Sequence, residues 1–170
     1  MQKPENTREK MTYPEMGEWV LLTINSGLNW SMKRYMIDRL LRSLPSYKPL
    51  TVSTKAQAVA YGLGVGDLRQ YNWNEQKTKM KDPKRSIFHY EHKIPLGQII
   101  NSIMECNTVD EIVYHMQKTE IAWILKEEDK LLNKGMEGQS WRFTRPKNAY
   151  ELLGIELITE THKQTHNHEN

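Results

Sequence analysis

Five consecutive apolar residues, Ile121-Ala122-Trp123-Ile124-Leu125, stand out in a chain whose other apolar residues mostly recur at three- and four-residue spacing. A run this short, without polar alternation and closed by charge, reads as a buried strand. It is among the longest apolar runs, with Trp19 to Leu22, and both fall far short of the roughly 20 residues that a bilayer-crossing helix needs. A chain of 170 residues with 38% hydrophobic and 26% charged residues suits one globular domain with short tails, which excludes wholesale disorder.

Around that strand the spacing is mainly helical. Met32, Tyr35, Met36, Ile37, Leu40, Leu41 and Leu44 predict a helix from Ser31, its N-cap, to Pro45. Ser53 or Thr54 caps a second helix through Ala56, Ala58, Val59, Ala60 and Tyr61. The following Gly62-Leu63-Gly64-Val65-Gly66 comes after a helix rather than a strand, so it reads as a helix-ending turn and not a phosphate loop. Leu96, Ile99, Ile100, Ile103 and Met104 predict another helix, and Thr108 with Glu111 forms a capping box for the next. Lys126 to Asn133 continues as helix with acids in its first turn and Gly135 as its stop. Pro146 to Leu153 is a last short helix.

Two further segments are β-prone. Trp19 to Ile24 predicts a strand or buried segment before the turn Asn25-Ser26-Gly27, and Ser86 to His92 a strand limited by Pro95. The expected fold class is therefore α+β, mainly helical, with a small β-hairpin or strand pair and its helix embedded in a helical domain. Residues 1–17 read as a flexible arm and 159–170 as a disordered tail. A single globular domain fills 18–158, with a basic helical part over 18–85 and a second part over 86–158.

Charge is unevenly placed. Residues 31–55 hold six basic side chains against one acidic, and residues 69–93 seven against three, whereas residues 105–129 hold seven acidic against two basic. Lys33, Arg34, Arg39, Arg42, Arg69, Lys77, Lys79, Lys84 and Arg85, with Tyr47, Tyr61, Tyr71 and Trp73 among them, are the mixture that a phosphate backbone and its bases attract. Arg142 and Arg145 beside Trp141 either clamp phosphate or pin the last helix. The acidic segment 105–129 repels phosphate and suits a protein partner instead. The single Cys106, at helical spacing with Ile99 and Ile103, reads as a core residue of a reducing compartment. The polar N-terminus lacks a secretory apolar region, and the abundance of lysine, asparagine and methionine suits the cytoplasm of a bacterial host cell or its phage.

Glu91-His92-Lys93-Ile94-Pro95 resembles the first motif of the HNH, or ββα-metal, nucleases, in which an acid and a histidine end a strand before a hydrophobic residue and proline. Strand 121–125 and helix 126–133 look like the second strand and helix of that family. The resemblance implies a DNA endonuclease of a restriction, phage or mobile-element kind. It makes His92 the general base that activates water, with Glu91 and Asp129 or Asn133 holding Mg²⁺ or Mn²⁺. The chemistry suits those types, because imidazole accepts protons near neutral pH and hard oxygens suit such ions. His89 assists or faces solvent, and His162, His166 and His168 belong to the tail. The sequence departs from the family in a long helical span, Leu96 to Glu120, between the two strands. Thr119 or Glu120 stands where the family has its central asparagine, and no cysteine pairs brace a zinc ion.

The competing reading is a non-catalytic phage or bacterial inhibitor or accessory factor, whose basic half docks nucleic acid and whose acidic half docks protein. Cutting a palindromic site would call for a homodimer, although no coiled-coil heptad declares one.

Overall fold

The computed structural model describes residues 11–44, 49 and 51–159. Within them, helix α1 (Tyr13–Asn25) leads to α2 (Trp30–Ser43), strand β1 (Thr51–Ser53), α3 (Thr54–Gly62) and β2 (Phe88–His92). Next come α4 (Leu96–Met104), α5 (Val109–Met116), β3 (Ile121–Leu125), α6 (Lys126–Lys134), α7 (Ala149–Leu152) and β4 (Leu157–Ile158). The protein is α+β and mainly helical, with one small sheet. No helix among the described residues is long and apolar enough to cross a membrane.

The strand expected over Trp19 to Ile24 is helix instead. Thr12 and Glu15 form a capping box, Pro14 occupies the first turn, and Met16, Val20 and Thr23 fall on one buried stripe, so capping and 3.6-residue periodicity override the β-prone composition. The same helix starts inside the expected arm 1–17; what remains of that arm, residues 1–10, lies outside the described residues, as does the tail beyond residue 159. Helix α2 begins one residue earlier than Ser31, with Asn29 Oδ1 accepting from the Met32 amide at 2.9 Å. Ser53 is the cap of α3, and β1 and β4 are strands too short for periodicity to reveal.

The described chain falls into two compact units, and their boundary is not the one expected near residue 85. One unit takes residues up to Pro45 together with Leu96–Thr119, and is built from α1, α2, α4 and α5. In it α1 meets α5 closely at Gly17, where a Cβ would come within 3.0 Å of Val109 Cγ1. The other unit takes Ser46–Pro95 and the chain from Glu120, and contains the sheet.

Strand order in the sheet is β2-β3-β1-β4, with β3 antiparallel to β2 and parallel to β1, and β1 antiparallel to β4. The β2–β3 register runs from Phe88 opposite Leu125 to His92 opposite Ile121. It continues one step further, because the Lys93 amide donates to Glu120 O at 2.9 Å and the Lys93 ammonium meets Glu120 Oε2 at 2.6 Å. Both faces of β3 are covered, which is why its sequence does not alternate. Trp123 and Leu125 pack with Val52, Ala56, Leu68, Met80 and Phe88 on one side. Ala122 and Ile124 pack with Leu132, Trp141, Ala149, Tyr150 and Ile155 on the other.

Two polar devices fix this framework. Buried Glu128, in the first turn of α6, accepts from Ser53 Oγ at 2.6 Å and from the Leu125 amide at 2.8 Å, tying β1, β3 and α6 together. Buried Asp82 accepts from the amides of Ser86, Ile87 and Phe88 and from Gln76 Nε2, which moors the loop before β2. Helix α6 stops at Gly135, whose φ of +68° and ψ of −153° suit glycine alone; a Cβ there would lie 2.0 Å from Gln139 O.

Candidate metal centre

The site forms where an edge strand meets the start of a helix. Successive side chains of a strand point to opposite faces, so His89 and Glu91 share the face of β2 that lies beside Ala122 and Ile124, their partners in the ladder. Asp129 comes from the first turn of α6, which follows β3 without a loop. The donor atoms of His89, Glu91 and Asp129 all lie within 4.8 Å of one another. His89 Nε2 is 3.0 Å from Glu91 Oε2 and 3.5 Å from Asp129 Oδ1.

Neighbouring groups orient all three. Lys126 Nζ stands 2.7 Å from His89 Nδ1, and since an ammonium only donates, Nδ1 is assigned as the acceptor and Nε2 as the N–H that faces the carboxylates. Arg145 Nη2 donates to Glu91 Oε1 at 2.7 Å, and its Nη1 reaches Tyr150 Oη and His92 O. Asn133 Nδ2 donates to Asp129 Oδ1 at 2.8 Å, one turn along α6. Burial pushes the Glu91 carboxyl up, but the His89 hydrogen bond and the Arg145 guanidinium outweigh it and hold the carboxyl below its usual range. Burial, with the Glu91 charge beside it, raises the Tyr150 phenol, so it stays protonated.

This donor set fits a divalent cation in the other histidine tautomer, in which Nδ1 carries the proton, Lys126 turns away from it and Nε2 presents its lone pair beside the two carboxylates. Ligands at about 2.1 Å from an octahedral ion sit roughly 3 Å apart when adjacent, which is the spacing His89 Nε2 keeps from the two carboxylates. Two carboxylate oxygens and an imidazole nitrogen suit Mg²⁺ or Mn²⁺, and more readily Mn²⁺ for the nitrogen. The same three atoms equally accommodate a proton between them.

Of the residues expected from sequence, Glu91, Asp129 and Asn133 do converge, with Asn133 behind Asp129. His92 occupies the other face of β2, at the ladder position opposite Ile121, and is not among the clustered donors. Its place is taken by His89, and alternation within the strand is the signal that pairs His89 with Glu91. Lys126, expected only as the start of its helix, joins the site because Lys126, Asp129 and Asn133 share one helical stripe. Arg145 is buried, with 3% of its side chain exposed, and turns inward to Glu91 rather than outward to phosphate.

Several of the expected nucleic-acid contacts are engaged within the protein. In the helical unit, Lys33 Nζ donates to Ile24 O, Arg34 to Asn101 and Gly97 O, and Arg42 pairs with Asp38, leaving Arg39 exposed. In the sheet unit Arg69 grips Asp67 and Lys79 pairs with Glu75, while Lys77, Lys84 and Arg142 are exposed. Arg85 stacks on Trp73. His162, His166 and His168 lie outside the described residues. No family model, curated protein or solved structure matches this chain.

Proposed function

We propose that this protein is a metal-dependent endonuclease that hydrolyses DNA phosphodiester bonds, with its centre at His89, Glu91 and Asp129. The observation that carries the reading is the convergence of these three donors from β2 and α6 within 4.8 Å. When bound, Mg²⁺ or Mn²⁺ supplies there the positive charge and the acidified water that phosphodiester hydrolysis needs. Arg145 keeps Glu91 ionised and fixed, and Asn133 orients Asp129. Lys126 adds a positive charge at the rim, where it favours an approaching phosphate. The reading resembles the HNH plan in its antiparallel strand pair followed by a helix, and differs from it in using His89 where that plan uses His92.

The second reading, a non-catalytic DNA-binding inhibitor or accessory factor, has one observation in its favour: Arg145 and Lys126 already bring two cations to the cluster, as in a purely structural ion-pair network. Supercoiled plasmid incubated with Mg²⁺, Mn²⁺ or EDTA separates the two. The endonuclease reading expects metal-dependent nicking by wild type and by His92→Ala, and none by Asp129→Asn or Glu91→Gln. Nicking lost in His92→Ala but kept in Asp129→Asn would return the centre to the motif. No cleavage by any form, with salt-sensitive DNA binding retained, supports the accessory factor.

A further inference from the structure

The loop that precedes β2 carries an aromatic platform. The Arg85 guanidinium carbon lies 3.3 Å from the centroid of the Trp73 ring, a stacked arrangement, and Arg85 Nη2 also donates to Trp73 O at 3.3 Å. Trp73 is nevertheless 45% exposed, so the arginine covers one face and leaves indole surface open. Both partners are held rigidly. An Asn72–Glu75 capping box sets the turn that bears Trp73, and the Asp82 network moors Ser86, Ile87 and Phe88 just beyond Arg85.

Holding Arg85 in place is costly to the protein. Its φ of +52° is a left-handed conformation for a residue with a Cβ, and its Nε is buried with no hydrogen-bond partner among the described residues. An exposed tryptophan needs no such backing for the sake of the fold, since single exposed apolar residues are ordinary. The exposed Lys77 and Lys84 lie in the same loop without ion pairs among the described residues, whereas Lys79 and Lys81 are engaged by Glu75 and by Leu63 O.

We infer that Trp73, backed by Arg85, is a stacking platform for an unpaired nucleobase, with Lys77 and Lys84 taking the flanking phosphates, so that this protein engages single-stranded DNA. Every base offers a π-face to such a platform once it is unstacked, and a paired, stacked base in a duplex does not. The inference deepens the endonuclease reading and rests on it for the identity of the ligand as DNA.

The test is fluorescence anisotropy in EDTA, with fluorescein-labelled oligothymidylate and a blunt duplex of equal length, so that binding is read apart from cleavage. Wild type is expected to prefer the single strand. Trp73→Ala is expected to lose about tenfold in affinity for it, Trp73→Phe to recover most of that, and duplex binding to stay unchanged. Thermal melting of each variant checks that it is folded. Single-strand affinity unchanged in Trp73→Ala, or an equal loss for both probes, overturns the platform. Oligothymidylate binding that depends on Trp73, with no nicking under any metal, sinks the endonuclease reading alone; nicking without such binding sinks the platform alone.

Discussion

Strands β2 and β3 are paired residue for residue over five positions, yet one is entirely buried and the other holds the candidate chemistry. Strand β3 is internal, with cores on both faces, so every one of its side chains is apolar. Strand β2 is an edge strand, and only Phe88 is fully enclosed. A metal centre needs ionised donors that are fixed but still reachable by water and substrate. Full burial would charge a large desolvation cost against each carboxylate, and full exposure would leave them mobile. The outer strand of the pair, with α6 leaning on it and Arg145 behind it, supplies the intermediate condition.

The contrast can be broken by substitution, beginning with the largest effect. Trp123 is fully buried, packs edge-to-face on Tyr90 at 4.9 Å and donates from Nε1 to Tyr71 O at 3.0 Å. Trp123→Ala is expected to cost about 3–5 kcal/mol in urea denaturation, and a loss under about 1 kcal/mol would mean that β3 is not the centre of the core. On the β2 side, Arg145→Ala leaves the Glu91 carboxylate half-enclosed without its cation. A loss of about 3 kcal/mol is expected, partly recovered by Arg145→Lys, which restores the charge but not the fork.

Acid should act on β2 through the groups that moor it. Burial raises the Asp82 carboxyl, but hydrogen bonds from the Phe88, Ser86 and Ile87 amides and from Gln76 bring it below its usual value, and Glu91 is lowered too. Groups lowered in the folded state stabilise it above their unfolded value and lose that contribution as pH falls through the folded one. Stability is therefore expected to decline below about pH 4, and less steeply in Asp82→Asn. Equal slopes for wild type and Asp82→Asn in urea titrations at several pH values would remove Asp82 from the account. The smallest effect is expected from His92→Ala, under about 1 kcal/mol in the same assay, with nicking retained.

What could be read from the sequence followed local physics. Helices α2, α4, α5 and α6 announced themselves through apolar spacing and caps, and β3 through its unbroken apolar run. Trp19 to Ile24 misled because β-prone residues also filled a helical stripe, whose Thr12–Glu15 capping box lies in a segment read as a flexible arm. Strands β1 and β4 have three and two residues, below the length at which any period shows. At the site, the motif drew Glu91 and His92 together because they adjoin in the chain, whereas a strand sends neighbours to opposite faces. The Arg145–Glu91 pair spans 54 positions, and no local pattern anticipates it.

The Lys93–Glu120 clasp has a bearing on how freely the connection between the two strands can vary in length. Its amide hydrogen bond and ion pair bring the departure and return of a long helical connection side by side at the end of one ladder, as the two ends of a tight turn would be. Joining distant segments costs loop-closure entropy that grows only slowly with length, so a hairpin can accept a large excursion at that point for little more than a short one. Helices α4 and α5 thus occupy the place of a turn, and a four-residue linker between Lys93 and Glu120 is geometrically sufficient to close the same strand pair. The strand pair with its charged edge therefore does not depend on the length of the connection that α4 and α5 make between its strands.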